Sequence, residues 1–423
     1  MDNLFLKFKL ALKDGSLRRR ILFVIGALAV FRLMATIPIP GVDTVALEQF
    51  FANNQFLGLL NIFSGGGLSN LSIVMLGVGP YITASIIMQL LTMMFPKLKE
   101  MYHEEGEAGR KKFAQYSRLL MVPLAIIQGL SFVIILQRQG IIVDLPLLYK
   151  IANIAVIAAG SIFLTWLGEL MSEFGIGSGT SLIIFAGIVS RIPQVASQLV
   201  FSFSASQLPL YLAFLAVAVV VVAAVVAVTE AERPVPITYA KQVRGSKVFG
   251  GVSTYLPLRL NQAGVIPIIF ALSILLFPQM IVQFLSNIDN ATIESISKFL
   301  TSLLQNQIFY GAMYFILVFV FTYFYTAVTF DPDSIAENLQ KSGGFVPGVR
   351  PGYHTAAYIG KIVTRITLVG ALFLGIIAVL PLIMQALTGL TALKIGGTAL
   401  LIVVSVVLDL IRKVEAQVSM REY

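Results

Sequence analysis

The sequence predicts an all-α polytopic membrane protein, and three observations carry that prediction. Of 423 residues, 57% are hydrophobic and only 12% charged, with a mean hydropathy of +0.88; a soluble domain averages about 25% charged. Ten apolar stretches have the length and pattern of membrane helices. The second stretch, Phe56 to Met94, is 39 residues long and is broken by glycine. As a single helix it would measure about 58 Å, against roughly 30 Å of hydrocarbon in a bilayer.

The elements follow in order. Met1–Arg20 is basic, and Leu4, Phe5, Phe8 and Leu12 are spaced as one helix face. That pattern predicts a helix lying in the membrane interface and not a cleavable signal peptide. Span one is Ile21–Ile37. The second region contains Asn61-Ile62-Phe63-Ser64-Gly65-Gly66-Gly67, where three glycines weaken a helix and permit a sharp bend. Span two, Ser72–Met94, follows it. Irregular backbone at membrane depth persists only inside protein or along a water-filled cavity, so the break points to a channel or transporter. Spans three to ten are Leu119–Leu136, Ile151–Leu170, Ser181–Val200, Leu208–Val228, Gly264–Leu285, Ile308–Val328, Ile366–Ala386 and Ile395–Ile411. Arg191 and Pro193 interrupt the fifth. The chain therefore divides into halves 1–200 and 201–423. Five spans in each would give the halves opposite orientation, as in inverted repeats.

Charge sets the topology. Lysine and arginine concentrate in the N-terminal segment, in 97–118, in the long loops 229–262 and 329–365, and in the tail. Their placement on one side predicts that both termini are cytoplasmic. The net charge of +9 is then a topology signal, and direct DNA binding is not expected. Zero cysteines exclude disulfides, thiolate metal sites and a cysteine nucleophile. His103 and His354 lie far apart and read as solvated loop residues. No G-x-x-x-x-G-K-[ST] phosphate loop and no histidine–carboxylate cluster within a span is visible, so neither a nucleotide motor, an enzyme, a metal nor a cofactor is expected. Arg32, Glu169 and Asp409 sit near span ends, where snorkelling or end-capping accounts for them.

Two patterns stay open at this level. Ile82/Ile86 and Ile184/Ile188 are each four apart, so each pair shares a helix face. Such a face packs on lipid or core, or it lines a hydrophobic constriction that closes by excluding water. The segments Glu105–Lys112 and Gly344–Gly352 are turn-rich and basic. They are ordinary inside loops or docking surfaces; proline and glycine on both sides of Arg350 would hold its side chain in one place.

Several motifs, in this order, resemble the SecY family of protein-conducting Sec channels over nearly the whole chain. They are Ile37-Pro38-Ile39-Pro40-Gly41, Asn61–Gly67 followed by Pro80–Leu91, Glu105–Lys112, Gly175-Ile176-Gly177, Tyr239-Ala240-Lys241, Ser253–Leu258, Asn261–Phe270, Phe345–Gly352 and Gly396-Gly397-Thr398. The resemblance implies ten transmembrane helices in two pseudo-symmetric halves around a central hourglass pore with a plug half-helix. It implies a pore ring of Ile82, Ile86, Ile184, Ile188, Ile269 and Ile402. The plug is the half-helix at about 57–71, with Asn61, Ile62, Phe63, Ser64, Gly65, Gly66, Gly67 and Leu68. A lateral gate between spans two/three and seven/eight would carry Gln89, Thr92, Gln128 and Asn261, and Arg350, Arg244 and Lys247 would dock a partner. The implied partners are the small membrane subunits SecE and SecG, the SecA motor ATPase and/or the ribosome, signal sequences and nascent polypeptide, all at the cell (plasma) inner membrane. The competing expectation is a small-solute secondary transporter with a broken helix, which needs a polar midplane site and no docking loops.

Overall fold

The computed structural model describes residues 14–41, 67–68, 71–103, 105–138, 140–142, 146–190, 192–193, 197, 208–239, 242–244, 247–249, 253–285, 291–388 and 396–419. The helices are α1 (Gly15–Ala35), α2 (Gly79–Met94), α3 (Pro96–His103), α4 (Gly106–Arg138), α5 (Leu147–Phe174), α6 (Gly179–Val189), α7 (Leu208–Glu230), α8 (Ile266–Leu285), α9 (Ala291–Gln305), α10 (Gln307–Thr329), α11 (Pro332–Lys341), α12 (Tyr353–Thr388) and α13 (Gly396–Ser419). A helix lies over each of the ten predicted spans. Among the described residues four helices are long and apolar enough to cross a membrane, five if α2 and α3 form one bent span. The apolar runs Gly179–Val189 and Ile266–Leu275 are shorter. The chain folds as two compact units, Met1–Leu208 with Met280–Ser297 and Ile402–Tyr423, and Pro209–Gln279 with Lys298–Leu401.

In the first unit α5 packs against α1, α2, α4 and α6. Three expectations change here. The interfacial helix expected over Met1–Arg20 falls partly on residues 1–13, outside the described residues. What is described of it, Gly15–Arg20, is the start of α1 itself, because the Asp14 carboxylate caps the helix by accepting from the Ser16 N–H at 3.0 Å. Span two is helical from Gly79 and not from Ser72. Pro80 sits in the first turn, where its missing N–H costs nothing, and Leu71 (φ 41°) and Gly77 (φ 57°) interrupt the preceding backbone. At its other end Pro96 holds Phe95 extended, and α3 leaves at 116°. In the fifth span α6 ends at Val189, with Ser190 as its cap; Ile192, Pro193 and Ser197 beyond the break are again helical, and the rest of 191–200 lies outside the described residues.

The second unit adds short strands in the loops of its helical fold. Its loops contain β1 (Glu232–Tyr239), β2 (Gln242–Arg244), β3 (Lys247–Phe249), β4 (Ser253–Arg259) and β5 (Gly344–Phe345). Strand β1 pairs antiparallel with β4 from Glu232↔Arg259 to Thr238↔Ser253, and its other edge pairs with β5 at Thr238↔Phe345 and Tyr239↔Gly344. One sheet, in the order β4-β1-β5, therefore joins the two long loops. Alternation explains it: Val235, Ile237 and Tyr239 point to one face and meet Leu256 and Leu258 from β4. That face packs on Leu339 of α11, Val346, and Ile359, Val363 and Ile366 of α12. The prolines fit the ladder. The Leu260 N–H donates to the Ala231 carbonyl at 2.9 Å, so odd-numbered residues of β1 bond to β4 and even-numbered ones face the opposite edge. Pro234 and Pro236 thus lack an N–H only where β5 does not reach, and they blunt that edge against stray pairing.

The expected loop 329–365 is largely structured. Asp331 caps α11 by accepting from the Asp333 and Ser334 N–H groups, and α12 begins at Tyr353, well before the expected Ile366. Helix α10 packs along α12, with Gly375 against the Phe315 ring, where a Cβ would collide.

Candidate functional site

The outer helices show what faces lipid. Large apolar side chains are exposed along α1 (Leu22, Ile25), α4 (Leu119, Ile127), α7 (Leu215, Val220), α10 (Ile316) and α12 (Ile376), an arrangement that water would not tolerate over so many helices. Other stretches have no exposed residue at all: Gly79–Thr92 in α2, Gly175–Ser190 around α6, Ile266–Leu275 in α8 and Ala399–Val406 in α13. All six predicted ring isoleucines lie in these enclosed stretches. Ile402 is 2% exposed, Ile86 and Ile184 3%, Ile188 7% and Ile269 9%; Ile82 is half-buried. Protein, not lipid, therefore covers Ile86, Ile184 and Ile188, and covers Ile82 in part. Ile269 belongs to the second unit and the other five to the first.

Just before α2 the backbone forms a tightly held joint. Ser72 donates through both N–H and Oγ to the Gly67 carbonyl at 3.0 Å. The proline motif near residue 38 bridges to Ser72, with the Ile39 N–H on Leu71 O and the Ile73 N–H on Ile37 O. Leu68, Leu71, Met75 and Leu76 pack with Ile39, Phe132, Leu136 and Ile141 in one apolar cluster. From α5, the Ser161 hydroxyl donates to the Gly77 carbonyl at 2.7 Å, and Gly160 lies against the Ile73 carbonyl so closely that a Cβ would overlap it. Of the predicted plug, Gly67 and Leu68 are buried in this joint; Asn61, Ile62, Phe63, Ser64, Gly65 and Gly66 lie outside the described residues.

The predicted gate residues are polar groups in apolar surroundings. Thr92 is buried and donates to the Gln89 carbonyl at 2.6 Å. The Gln89 amide donates to Ser85 Oγ at 3.4 Å, and its buried Oε1 has no partner among the described residues. Asn261 Nδ2 donates to the Gly264 carbonyl at 3.2 Å, while its Oδ1 is buried and has no partner among the described residues. Gln128 is half-buried on α4. Gln89, Thr92 and Gln128 belong to the first unit and Asn261 to the second.

The intramembrane charges resolve into local pairs. Glu169 of α5 meets Arg118 of α4 at 3.1 Å, and Asp409 meets Lys413 one turn on at 2.8 Å. The Arg32 guanidinium stands 5.9 Å from the Phe31 ring centre. Among the described residues no cluster of histidine, aspartate and glutamate suits a metal.

Arg350 is exposed, and its backbone is held. Gly348 (φ 81°) and Gly352 (φ 88°) take conformations that favour glycine, and buried Thr355 donates its hydroxyl to the Arg350 carbonyl at 2.8 Å. Arg244 and Lys247 face each other across the end of the β2–β3 ribbon; their side chains lie outside the described residues. Sequence reasoning missed Thr355, Ser161 and the shared sheet. The period-two run Val235–Ile237–Tyr239 was the available signal for the sheet; nothing local marks the two hydroxyls.

Apolar outer stripes, enclosed inner helices and a broken span define a polytopic helical membrane protein of the channel or transporter class. A family model described as SecY matches residues 72–411. The chain is 42% identical to the protein translocase subunit SecY of Thermus thermophilus, covering 98% of this chain and 95% of that one. A solved structure described as showing that the plug domain of the SecY protein stabilises the closed translocation channel superposes with a TM-score of 0.66 at 20% identity, covering 96% of this chain and 93% of that one. Sec61 in a canine ribosome–channel complex superposes with a TM-score of 0.62 at 19% identity, covering 94% and 92%. The chain belongs to the SecY family.

Proposed function

We propose that this chain is the passive, protein-conducting channel subunit of a Sec translocon. Unfolded secretory polypeptide threads a waist formed by Ile82, Ile86, Ile184, Ile188, Ile269 and Ile402, and apolar segments leave sideways into lipid past Gln89, Thr92, Gln128 and Asn261. The observation that carries the reading is the enclosure of all six isoleucines on helices that otherwise have every reason to face lipid. Aliphatic side chains offer no fixed hydrogen bonds to a passing backbone, and they expel water when the strand is absent. The segment Asn61–Leu68 stoppers the outer side, in line with the neighbour whose plug holds the closed state.

The chain supplies no energy of its own in this reading. A motor ATPase of the SecA type or a ribosome docks at Arg350, Arg244 and Lys247. A ribosome-bound neighbour and a translocase relative both favour that assembly, with SecE- and SecG-like subunits beside it. The membrane is the bacterial plasma membrane, both termini are cytoplasmic, and the two halves meet near residue 200. The buried Oδ1 of Asn261 and Oε1 of Gln89 suit a seam that water or a signal sequence visits.

The test replaces Ile86 and Ile402 with Asn in reconstituted vesicles. Ion leak through the idle channel rises and precursors with defective signals pass more readily. Unchanged leak together with unchanged selectivity would remove the ring assignment.

A further inference from the structure

We propose that one face of α5 is the ruler that spaces the two pore-lining helices of the first unit, with Ser161 and Ser172 as its positioning residues. The inference rests on the ring reading above. Helix α5 touches both α2, which carries Ile82 and Ile86, and α6, which carries Ile184 and Ile188. Ser161, Gly168 and Ser172 are seven and eleven residues apart in register, within about 20° of one line along the helix.

Each end of that line grips the start of one lining helix. At one end Ser161, fully buried, donates to the Gly77 carbonyl two residues before α2 begins, and Gly160 lets the Ile73 carbonyl come close. At the other end the Gly179 N–H, the first of α6, donates to Ser172 Oγ at 2.8 Å, and that hydroxyl donates in turn to the Gly168 carbonyl at 2.9 Å. Gly168 and Gly179 approach so closely that a Cβ on Gly179 would overlap the Gly168 carbonyl.

The Ser161 bond is not the usual membrane-helix habit. Most hydroxyls in these helices bond a carbonyl one turn back in their own helix, as Ser131 does to Ile127 and Thr165 to Ser161. Ser161 reaches a carbonyl 84 residues away in sequence. What it holds is the irregular end of the joint: Leu71 is in a left-handed conformation unfavourable for a branched side chain, and Gly77 in one that favours glycine. Without the clamp the start of α2 loses the Ser161 hydroxyl tie to α5 while the remaining bonds of the joint persist, so Ile82 and Ile86 gain a small freedom to shift while α6 keeps its own anchor. The expected consequence is a poorer seal and weaker signal discrimination, not loss of transport.

The experiment uses the channel with its partner subunits in vesicles and reads a ratio: export of a precursor with a defective signal over export of the same precursor with an intact one. Ser161→Ala raises the ratio about three- to tenfold, the shift expected from losing one buried hydrogen bond, and Ser172→Ala moves it in the same direction. A merely structural loss lowers both exports and leaves the ratio alone, which overturns the proposal. Ile86→Asn serves as the reference. If it raises the ratio and neither serine variant does, the ruler is wrong and the ring stands. If Ile86→Asn is also silent, the ring reading itself has failed and takes the ruler with it. Should Ser161→Ala not accumulate, Ser172→Ala, at the more exposed end, decides alone.

Discussion

Two glycines show how context sets the worth of a single atom. A Cβ at Gly160 would overlap the Ile73 carbonyl, whereas at Gly26, on the exposed side of α1, it meets nothing within 4 Å. Gly160→Ala should cost about 1–3 kcal/mol through overpacking and lower the thermal midpoint by several degrees. Gly26→Ala should leave the midpoint unchanged or slightly raised, since alanine is the better helix former. Thermal denaturation in detergent compares the two; equal midpoints would contradict the close packing of α5 on the joint. At this scale the sequence was only partly legible. Spacing put Ile82 with Ile86 and Ile184 with Ile188 and made lipid or core the default over pore, because periodicity reports a shared face and not what covers it. Family resemblance narrowed the choice, and burial removed lipid. Ser161 carried no signal, since one serine among many small residues of a membrane helix looks like its neighbours until a partner 84 residues distant is known.

Elements were readable in proportion to how local their causes are. The helix over each apolar stretch follows from composition. Its ends do not always follow: α2 starts at Gly79 because Pro80 favours the first turn, and α6 stops at Val189 ahead of Arg191 and Pro193. The cap signal Asp331-Pro332-Asp333-Ser334 was legible and announces α11, yet a loop was expected there because the positive-inside pattern dominated the reading. The sheet was harder. Its alternation is diluted by Pro234, Pro236 and Pro257, and its third strand comes from a loop about a hundred residues on. Energetically the sheet outweighs the ion pairs. Leu258 is buried in its core, and Leu258→Ala should destabilise the second unit by about 2–4 kcal/mol. Breaking the part-exposed Arg118–Glu169 pair with Glu169→Gln should cost no more than about 1 kcal/mol. Denaturant titration followed by limited proteolysis ranks them; a larger loss from Glu169→Gln would mean that the pair is shielded far more than its exposure indicates.

For the molecule as a whole, the proposed division of labour separates sealing from driving. The isoleucines belong to the first function and Arg350 to the second. Arg350→Glu should therefore reduce energised export at least about tenfold, as expected for an interface anchor, while the idle ion leak stays at the wild-type level. A small-solute transporter would keep its flux, and a variant that leaked would show that Arg350 also shapes the pore. The sequence predicts two halves, 1–200 and 201–423. The first compact unit also takes in Met280–Ser297 and Ile402–Tyr423, which a linear reading of span order has no means to foresee.

The three-stranded sheet has a mechanical consequence. Because β5 is hydrogen-bonded to β1 and the sheet rests on Ile359, Val363 and Ile366, a push on either loop is delivered to the first turns of one continuous helix of 36 residues. A machine docked as proposed would thus lean on a beam, not on two slack cords, and little of its stroke would be lost in the linkage.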